Sequence, residues 1–335
     1  MSTLAHDAVR YAKKPRGTSA TAVLLLAGAV ALLAGFALPW IAPSKLAMSL
    51  FAQALFDALL ATSVGFLFLQ NGRVSFGQAA FSGLGSYAFG VLVARNLVGA
   101  EAALLVALLL PTALAFLLGL VIARVSGVAH AMLTLAVGQA LYEVAFRWRE
   151  LAKGDDGMSF DLPARIFGVS ARGLQDPAVM VVLAWSILVI VLVGLALFAR
   201  SRTGMVAAAI RDNEERARFL GYSTTLPRAL VYAIAAFVAA LAGVLQASYN
   251  GYIAPQMFHW TVSGFALIMA IIGGAKFIIG PAVGAVALFY IKDFAGQVAE
   301  YWPAIVGGAL VIVTLTMPQG IIGLADLLWR RSARR

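Results

Sequence analysis

Three ionisable side chains stand inside otherwise apolar runs of this 335-residue chain, and any chemistry would have to start from them. Asp57 is the one charge in 46–70, and His130 and Glu143 are the ionisable groups of 128–146. Ionisable groups in such runs are costly and mark functional sites by default, yet each also has a structural reading. Glu143 precedes Arg147 by four residues, the favourable order for an intrahelical ion pair, so a structural pair is preferred there. His130 falls near the start of its run, where a snorkelling or hydrogen-bonded structural role is expected. Asp57 lies deeper, with Gln53 one turn before it on the same face. A pathway role and a packed polar contact between helices both stay open for it. No spaced chain of carboxylates is present, which weakens the case for a proton-driven carrier.

An enzyme finds little support. The chain has no Gly-Lys-Ser/Thr phosphate loop, no His-Glu-x-x-His and no Gly-x-Ser-x-Gly. Its three histidines (His6, His130, His259) are scattered, and with no cysteine it has neither disulfides nor a thiolate metal site. Gly83, Gly85 and Ala88 fit a loose dinucleotide fingerprint, but no strand precedes them and no acid follows about 20 residues on. Glycines 77, 83, 85 and 90 with Ser82 and Ser86 read instead as small residues that let helices approach in lipid. His130 and Glu143 are separated by about 20 Å along a helix and lie on different faces, so they do not converge on one site.

The surrounding elements are membrane helices. Hydrophobic residues make up 62% of the chain and charged residues 12%, about half the charge a water-facing surface needs. The net charge of +10 therefore reads as topology in a bilayer, with no nucleic-acid partner. Runs 20–41, 102–123, 178–199, 229–249 and 303–325 carry no charge, and each is long enough to span. Run 74–94 is also uncharged and is separated from 46–70 by Asn71, Gly72 and Arg73 alone, which demands a tight turn or a helix break. Run 261–291 is too long for one span and is interrupted by Gly273, Gly274, Gly280 and Pro281, which predicts two short helices hinged there.

Charge placement orients the spans. Four basic residues precede the first run, six against three acids fall in 200–228, and four close the chain, so the positive-inside rule makes all three segments cytoplasmic. Segment 147–176 is balanced and belongs on the opposite side. The N-terminus lacks a small-residue cleavage site before its full-length span and reads as a retained anchor. Within 205–220 apolar positions at Val206, Ala209, Ile210, Ala217 and Leu220 oppose a charged face, and Gly221 can end the helix. The alanine-rich face lacks the bulk of a lipid-surface helix and suits packing against a cytoplasmic protein.

The run Glu215-Arg-Ala-Arg-Phe-Leu-Gly221 resembles the Glu-Ala-Ala-x-x-x-Gly loop of bacterial ABC importer permeases, with Arg216 in place of the first alanine. The wider chain resembles the permease subunits of the high-affinity branched-chain amino acid transporter family, of LivM type. The motifs that carry the resemblance are Asn71-Gly-Arg-Val-Ser-Phe-Gly-Gln-Ala-Ala-Phe81, Ala152-Lys-Gly-Asp-Asp-Gly-Met158 and Ala209-Ile-Arg-Asp-Asn-Glu-Glu-Arg-Ala-Arg-Phe-Leu-Gly221. Gly273-Gly274 with Gly280-Pro281, and Pro318-Gln-Gly-Ile-Ile-Gly323, complete the set.

The apolar runs and charge placement predict an all-α polytopic transmembrane bundle of about ten spans with both termini cytoplasmic, and the resemblance makes its amphipathic cytoplasmic helix a coupling helix. Residues 1–19 would be a cytoplasmic segment, 20–325 the permease domain with coupling loop 200–228 and periplasmic loop 147–177, and 326–335 a basic tail. The resemblance implies a non-catalytic subunit of the inner membrane that binds no cofactor, with ATP and Mg used by two partner ATPase subunits. A second permease and a periplasmic substrate-binding protein would complete the importer of branched-chain amino acids, or of urea, amides or aromatic acids. Arg211, Glu215, Ala217 and Gly221 carry over as ATPase contacts. Asp57, Asn71, Ser75, Gln78, Gly273, Gly274, Gly280 and Pro281 are the pathway or hinge candidates, because interrupted helices expose backbone near transported ligands. Packing roles compete for each. Ala275-Lys276-Phe277 departs from the family, which often has another glycine there, and places a cation near the hinge. Leu226-Pro227 does not fall at the spacing of the longer importer consensus. The competing function is a self-sufficient secondary carrier with an ion and substrate site at the helix breaks.

Overall fold

Apolar runs of about 20 residues can satisfy their backbone groups in lipid only within themselves, and this chain builds helices from them. The computed structural model describes residues 18–41, 44–162, 165–166, 169–298, 302–317, 319–324 and 326. The principal helices are α1 (Thr18–Ile41), α2 (Lys45–Asn71), α3 (Gln78–Ala94), α4 (Ala100–Ile122), α5 (Val128–Arg147) and α6 (Pro177–Arg200). They continue as α7 (Arg202–Asp212), α8 (Glu214–Phe219), α9 (Thr225–Asn250), α10 (Trp260–Gly273), α11 (Gly280–Val298) and α12 (Trp302–Thr316). Residues 1–17 and 327–335, with the basic terminal segments, lie outside the described residues, as does Pro318 of the last motif. Among the described residues six helices (α1, α2, α4, α5, α6, α9) are long and apolar enough to cross a membrane, and α3 and α10 are shorter apolar helices.

Helices α2 and α9 form the centre and are the most buried. Alanine recurs along α9, and its small side chains let α2, α3 and α4 pack closely around it. Helix α2 carries α6 and α11 on its other flanks. Helix α1 rides on α6, where Trp185 donates from Nε1 to the Ala31 carbonyl at 2.8 Å. The rest of α1 exposes Leu26, Leu33 and Phe36, the surface of a helix made for lipid or another apolar chain.

The Asn71–Arg73 connection is a helix break. Gly72 adopts φ +66° and returns its N–H to the Phe68 carbonyl at 2.9 Å, closing α2. Helix α3 then starts at Gln78, later than the apolar run suggests, because residues 72–77 run back alongside α2. Ser63, eight positions before Asn71, donates to the Gln78 Oε1 at 3.1 Å, so α3 begins about 12 Å inside the end of α2. Two backbone donors of the loop and the first turn of α3 find side-chain acceptors inside the protein: the Phe76 N–H donates to Thr134 Oγ1 at 3.1 Å and the Ala79 N–H to Ser263 Oγ at 2.8 Å.

The expected hinge at 273–281 is the turn of a tightly packed helical hairpin. Helices α10 and α11 cross at glycines: a Cβ on Gly273 would lie 1.8 Å from the Gly280 carbonyl oxygen, and one on Gly284 2.0 Å from that of Met269. Gly280-Pro281 starts α11 here, since proline suits a first helical turn. Its ring fills the space left by Gly65 of α2, where a Cβ would fall 2.1 Å from Pro281 Cγ. Lys276 lies exposed in the turn.

Helix α9 separates two ends of the bundle by about 39 Å. Helices α7 and α8 sit at its start. At its finish strand β1 (Met158–Ser159), from segment 147–177, pairs antiparallel with β4 (Tyr252–Ile253). Between them in sequence, β2 (Arg165–Ile166) and β3 (Val169–Ser170) form a second small ladder. The Ala152–Met158 motif is held there by Tyr252, which donates from its hydroxyl to the Asp156 carbonyl at 2.8 Å. Segments 147–177 and 200–228 thus occupy opposite ends.

Candidate functional site

The amphipathic segment forms an elbow of two helices where one was expected. Asn213 breaks it: its backbone is extended, and its side chain accepts from the Arg216 N–H at 2.8 Å, capping α8. At the other end Gly221 has φ +84°. The Tyr222 N–H returns to the Ala217 carbonyl at 3.1 Å and the Gly221 N–H to that of Arg218 at 2.9 Å. This is the Schellman arrangement, and it turns the chain sharply out of α8.

Glu214 holds the elbow to the bundle. Its carboxylate accepts from Arg228 Nη1 at 2.6 Å, Arg218 Nη2 at 2.7 Å and the Thr224 hydroxyl at 3.1 Å, with Arg73 Nη2 at 3.5 Å. Arg228 belongs to the first turn of α9 and is 5% exposed. Arg73 comes from the α2–α3 break and donates from Nη1 to the carbonyls of Ala123 (2.9 Å) and Val125 (2.5 Å), which end α4. One carboxylate therefore joins the elbow to α9 and, through Arg73, to the α2–α3 loop and α4. Desolvation raises the Glu214 pKa, but the hydrogen bond and charge of Arg228, aided by Thr224 and Arg218, outweigh it and hold the group below the ordinary carboxylate value.

Arg211 also faces this chain. Its guanidinium donates to the Leu69 carbonyl and pairs with Asp212 at 2.8 Å, while its methylene stem lies over Gly72. Ala217 is buried, Glu215 and Gly221 are exposed, and Glu215 has no side-chain hydrogen bond or ion pair among the described residues. The outward surface of the elbow is apolar: Phe219 is 92% and Leu220 70% exposed, with Tyr222 and Leu226 beside them. Inside, Asn71 donates from Nδ2 to the Arg228 carbonyl at 3.3 Å, and His130 is buried near Arg73 and Arg228. Ser75 is buried and accepts from the Gly77 N–H at 3.2 Å, Gln78 is buried in its contact with Ser63, and Gly273, Gly274, Gly280 and Pro281 are buried in the hairpin. Glu143 and Arg147 form the expected exposed pair at 2.9 Å.

Asp57 alone of the proposed pathway residues lines a sizeable cavity. The space is about 350 Å³ and lies between α2, α3, α9, α10 and α11. Lys292 of α11 shares it, beyond the end of the apolar run read from sequence. Glu214 and Lys292 are what sequence reasoning missed. A buried Arg228 in the first turn of an apolar helix was the available signal for Glu214, because such a cation needs a partner.

The described residues thus form a helical bundle with six membrane-length helices and, at one end, a capped and anchored elbow with an apolar tip. The chain matches the family described as "Branched-chain amino acid transport system / permease component" over residues 46–315, and it belongs to that family. It is similar to the high-affinity branched-chain amino acid transport system permease protein LivM of Escherichia coli K12, with 27% identity over 75% of this chain and 64% of the relative. The high-affinity branched-chain amino acid transport system permease protein LivH of Salmonella typhimurium is 29% identical over 47% of this chain and 52% of its own length. The fructose import permease protein FruF of Bifidobacterium longum is 27% identical over 44% of each. The chain spans less than two thirds of the length of the LivM relative it matches. No solved structure matches it.

Proposed function

We propose that the chain is the inner-membrane permease subunit of an ATP-binding cassette importer and forms half of a pathway for branched-chain amino acids or related small solutes. The ten apolar helices α1–α6 and α9–α12 would be its spans. Both termini and the elbow lie on the cytoplasmic side in this reading, and segment 147–177 is periplasmic. Two ATPase subunits that use ATP and Mg, a second permease of similar type and a periplasmic binding protein complete the machine.

The observation that carries this reading is the elbow. Its exposed Phe219, Leu220 and Tyr222 offer an apolar knob in water, while Glu214 fixes its inner face to α9. A knob anchored in this way transmits force. When the ATPase pair closes on ATP, the knob moves with its socket, and the Glu214–Arg228 link carries the displacement into the central helix. Glu215 and Gly221 stand on the partner side. Arg211 and Ala217 stiffen the elbow from within.

The test is ATP-driven uptake of labelled leucine into vesicles that hold the complete complex. Phe219→Ser should leave the protein in the membrane and lower uptake at least about tenfold, since a central apolar anchor is worth 2 kcal/mol or more. Normal uptake by that variant would sink the docking role, and uptake by this chain alone on an ion gradient would favour the secondary carrier.

A further inference from the structure

A long apolar groove of about 930 Å³ lies between α1, α2, α6 and α11. Leu24, Leu192 and Val286 are typical of its walls, and the Phe51–Trp185 ring pair, with centroids 6.3 Å apart, lines one end. The indole N–H of Trp185 is already bonded to the Ala31 carbonyl. One residue breaks the apolar lining. Lys276, exposed in the α10–α11 turn, also lines the groove, and no carboxylate does. Pro281 packs on Gly65 towards the Asn71 end of α2, which puts the turn, and Lys276 in it, at that end of the groove with Leu69. Among the described residues Lys276 makes no ion pair.

Depth decides what can reach the lysine. Helix α2 has 27 residues and is about 40 Å long against about 30 Å of hydrocarbon, so a centred α2 ends about 5 Å outside the apolar layer. Leu69 is about 3 Å short of that end, at headgroup level. From Leu69 to Leu55 the groove follows α2 for about 21 Å, more than the roughly 15 Å depth of one leaflet. The groove is therefore an apolar slot in the hydrocarbon with a cation at its rim. Lipid tails enter any apolar slot without preference, so the lysine selects the occupant. An apolar helix would set the ammonium against hydrocarbon unless it brought a carboxylate, and a zwitterionic lipid carries an ammonium of its own. A lipid with a net negative headgroup supplies the tail and the counter-charge in one molecule. We propose that this groove is a specific site for an anionic phospholipid, with a tail between α6 and α11 and the phosphate on Lys276 Nζ. The proposal needs the bundle to lie in a bilayer with the elbow at one face, and it holds for an importer subunit and for a carrier alike.

The test titrates the purified chain, with whatever subunits accompany it in mild detergent, against phosphatidylglycerol and phosphatidylcholine of identical tails and counts bound lipid by native mass spectrometry. Phosphatidylglycerol should bind at least about fivefold tighter, the effect of one lysine on an anionic headgroup. Lys276→Gln should remove that preference and Lys276→Arg should keep it, whereas Val286→Trp, which fills the slot, should weaken both lipids. Equal binding of the two lipids by the wild type, or a preference that survives in Lys276→Gln, overturns the site. Excess inorganic phosphate should not displace the lipid, and displacement would show an anion site without a tail and overturn the proposal. Where Val286→Trp fails to fold, a photoreactive probe on the thiol of Ile279→Cys, at the rim of the groove, replaces it. In native membranes that probe should label phosphatidylglycerol, and labelling confined to another protein chain would overturn the lipid in favour of a partner helix. These readouts are independent of ATP-driven uptake, so failure of this site and failure of the importer reading are separate results.

Discussion

Replacing Glu214 by glutamine isolates the link between elbow and bundle, because the side chain keeps its shape and one acceptor oxygen but loses its charge. Arg228, 5% exposed, then has no carboxylate at 2.6 Å, and Arg73 and Arg218 lose theirs. Removing one partner of a buried pair costs about 3–5 kcal/mol, but the Glu214 side chain is 27% exposed and glutamine still accepts a hydrogen bond, so about 2 kcal/mol is the expected loss. That is about 30-fold in the ratio of anchored to released elbow. Hydrogen exchange of the purified complex reads it directly: the amides of α8 should exchange about 30-fold faster in Glu214→Gln, with the centre of α9 unchanged. Glu215→Gln, which removes an exposed charge, should leave α8 exchange as it is. Equal exchange in wild type and Glu214→Gln would refute the anchoring role, and faster exchange throughout the bundle would show a general loss of stability instead.

The same link has a pH signature. Because the Glu214 carboxyl is held below its ordinary value, its stabilisation is complete above the unfolded value and fades as pH falls through the folded one, so α8 exchange corrected for intrinsic rate should be flat from pH 8 to 5 and rise only below about pH 4. Gly221→Val meets no neighbour but is strained at φ +84°, and it should release the C-terminal turn of α8 and reduce uptake while membrane insertion stays normal. Asn213→Ala should loosen α8 by about 1 kcal/mol through loss of its cap, seen as faster exchange at Arg216. Gly284→Leu would force α10 from α11, since its Cβ alone would fall 2.0 Å from the Met269 oxygen, and the amount of folded protein recovered in mild detergent should collapse.

Much of the architecture was legible because membrane burial imposes a crude rule, long uncharged runs, and α1, α4, α6 and α9 follow it. The breaks were legible as positions but less so as shapes. Gly273 to Pro281 looks like a hinge because glycine and proline loosen an isolated helix, yet in the bundle the same residues create close contact, with Pro281 against Gly65 on a distant helix. Asn213 hid its role inside an amphipathic pattern that runs through it, since a cap and a mid-helix polar residue look alike without the backbone. Glu214 and Glu215 are equivalent by sequence, and which one turns inward depends on the phase that Asn213 sets and on Arg228 at the start of α9. Asp57 was visible as a lone charge in its run. Lys292 was not, because the apolar run ends one residue before it and its relation to Asp57 is made by the packing of α11 on α2.

Because the chain has no cysteine, docking of an ATPase on the elbow can be tested directly with one introduced thiol. A single thiol introduced as Phe219→Cys, labelled in native membranes with a short reagent carrying one maleimide arm and one photoreactive arm that inserts into neighbouring C–H bonds, should on illumination join this chain to a subunit that carries a nucleotide-binding phosphate loop, and the yield should change with ATP. A thiol at the other end of the bundle, as Tyr252→Cys, should give no such adduct. Absence of any ATPase adduct from position 219, together with solute transport by the purified chain alone in liposomes, would contradict the account.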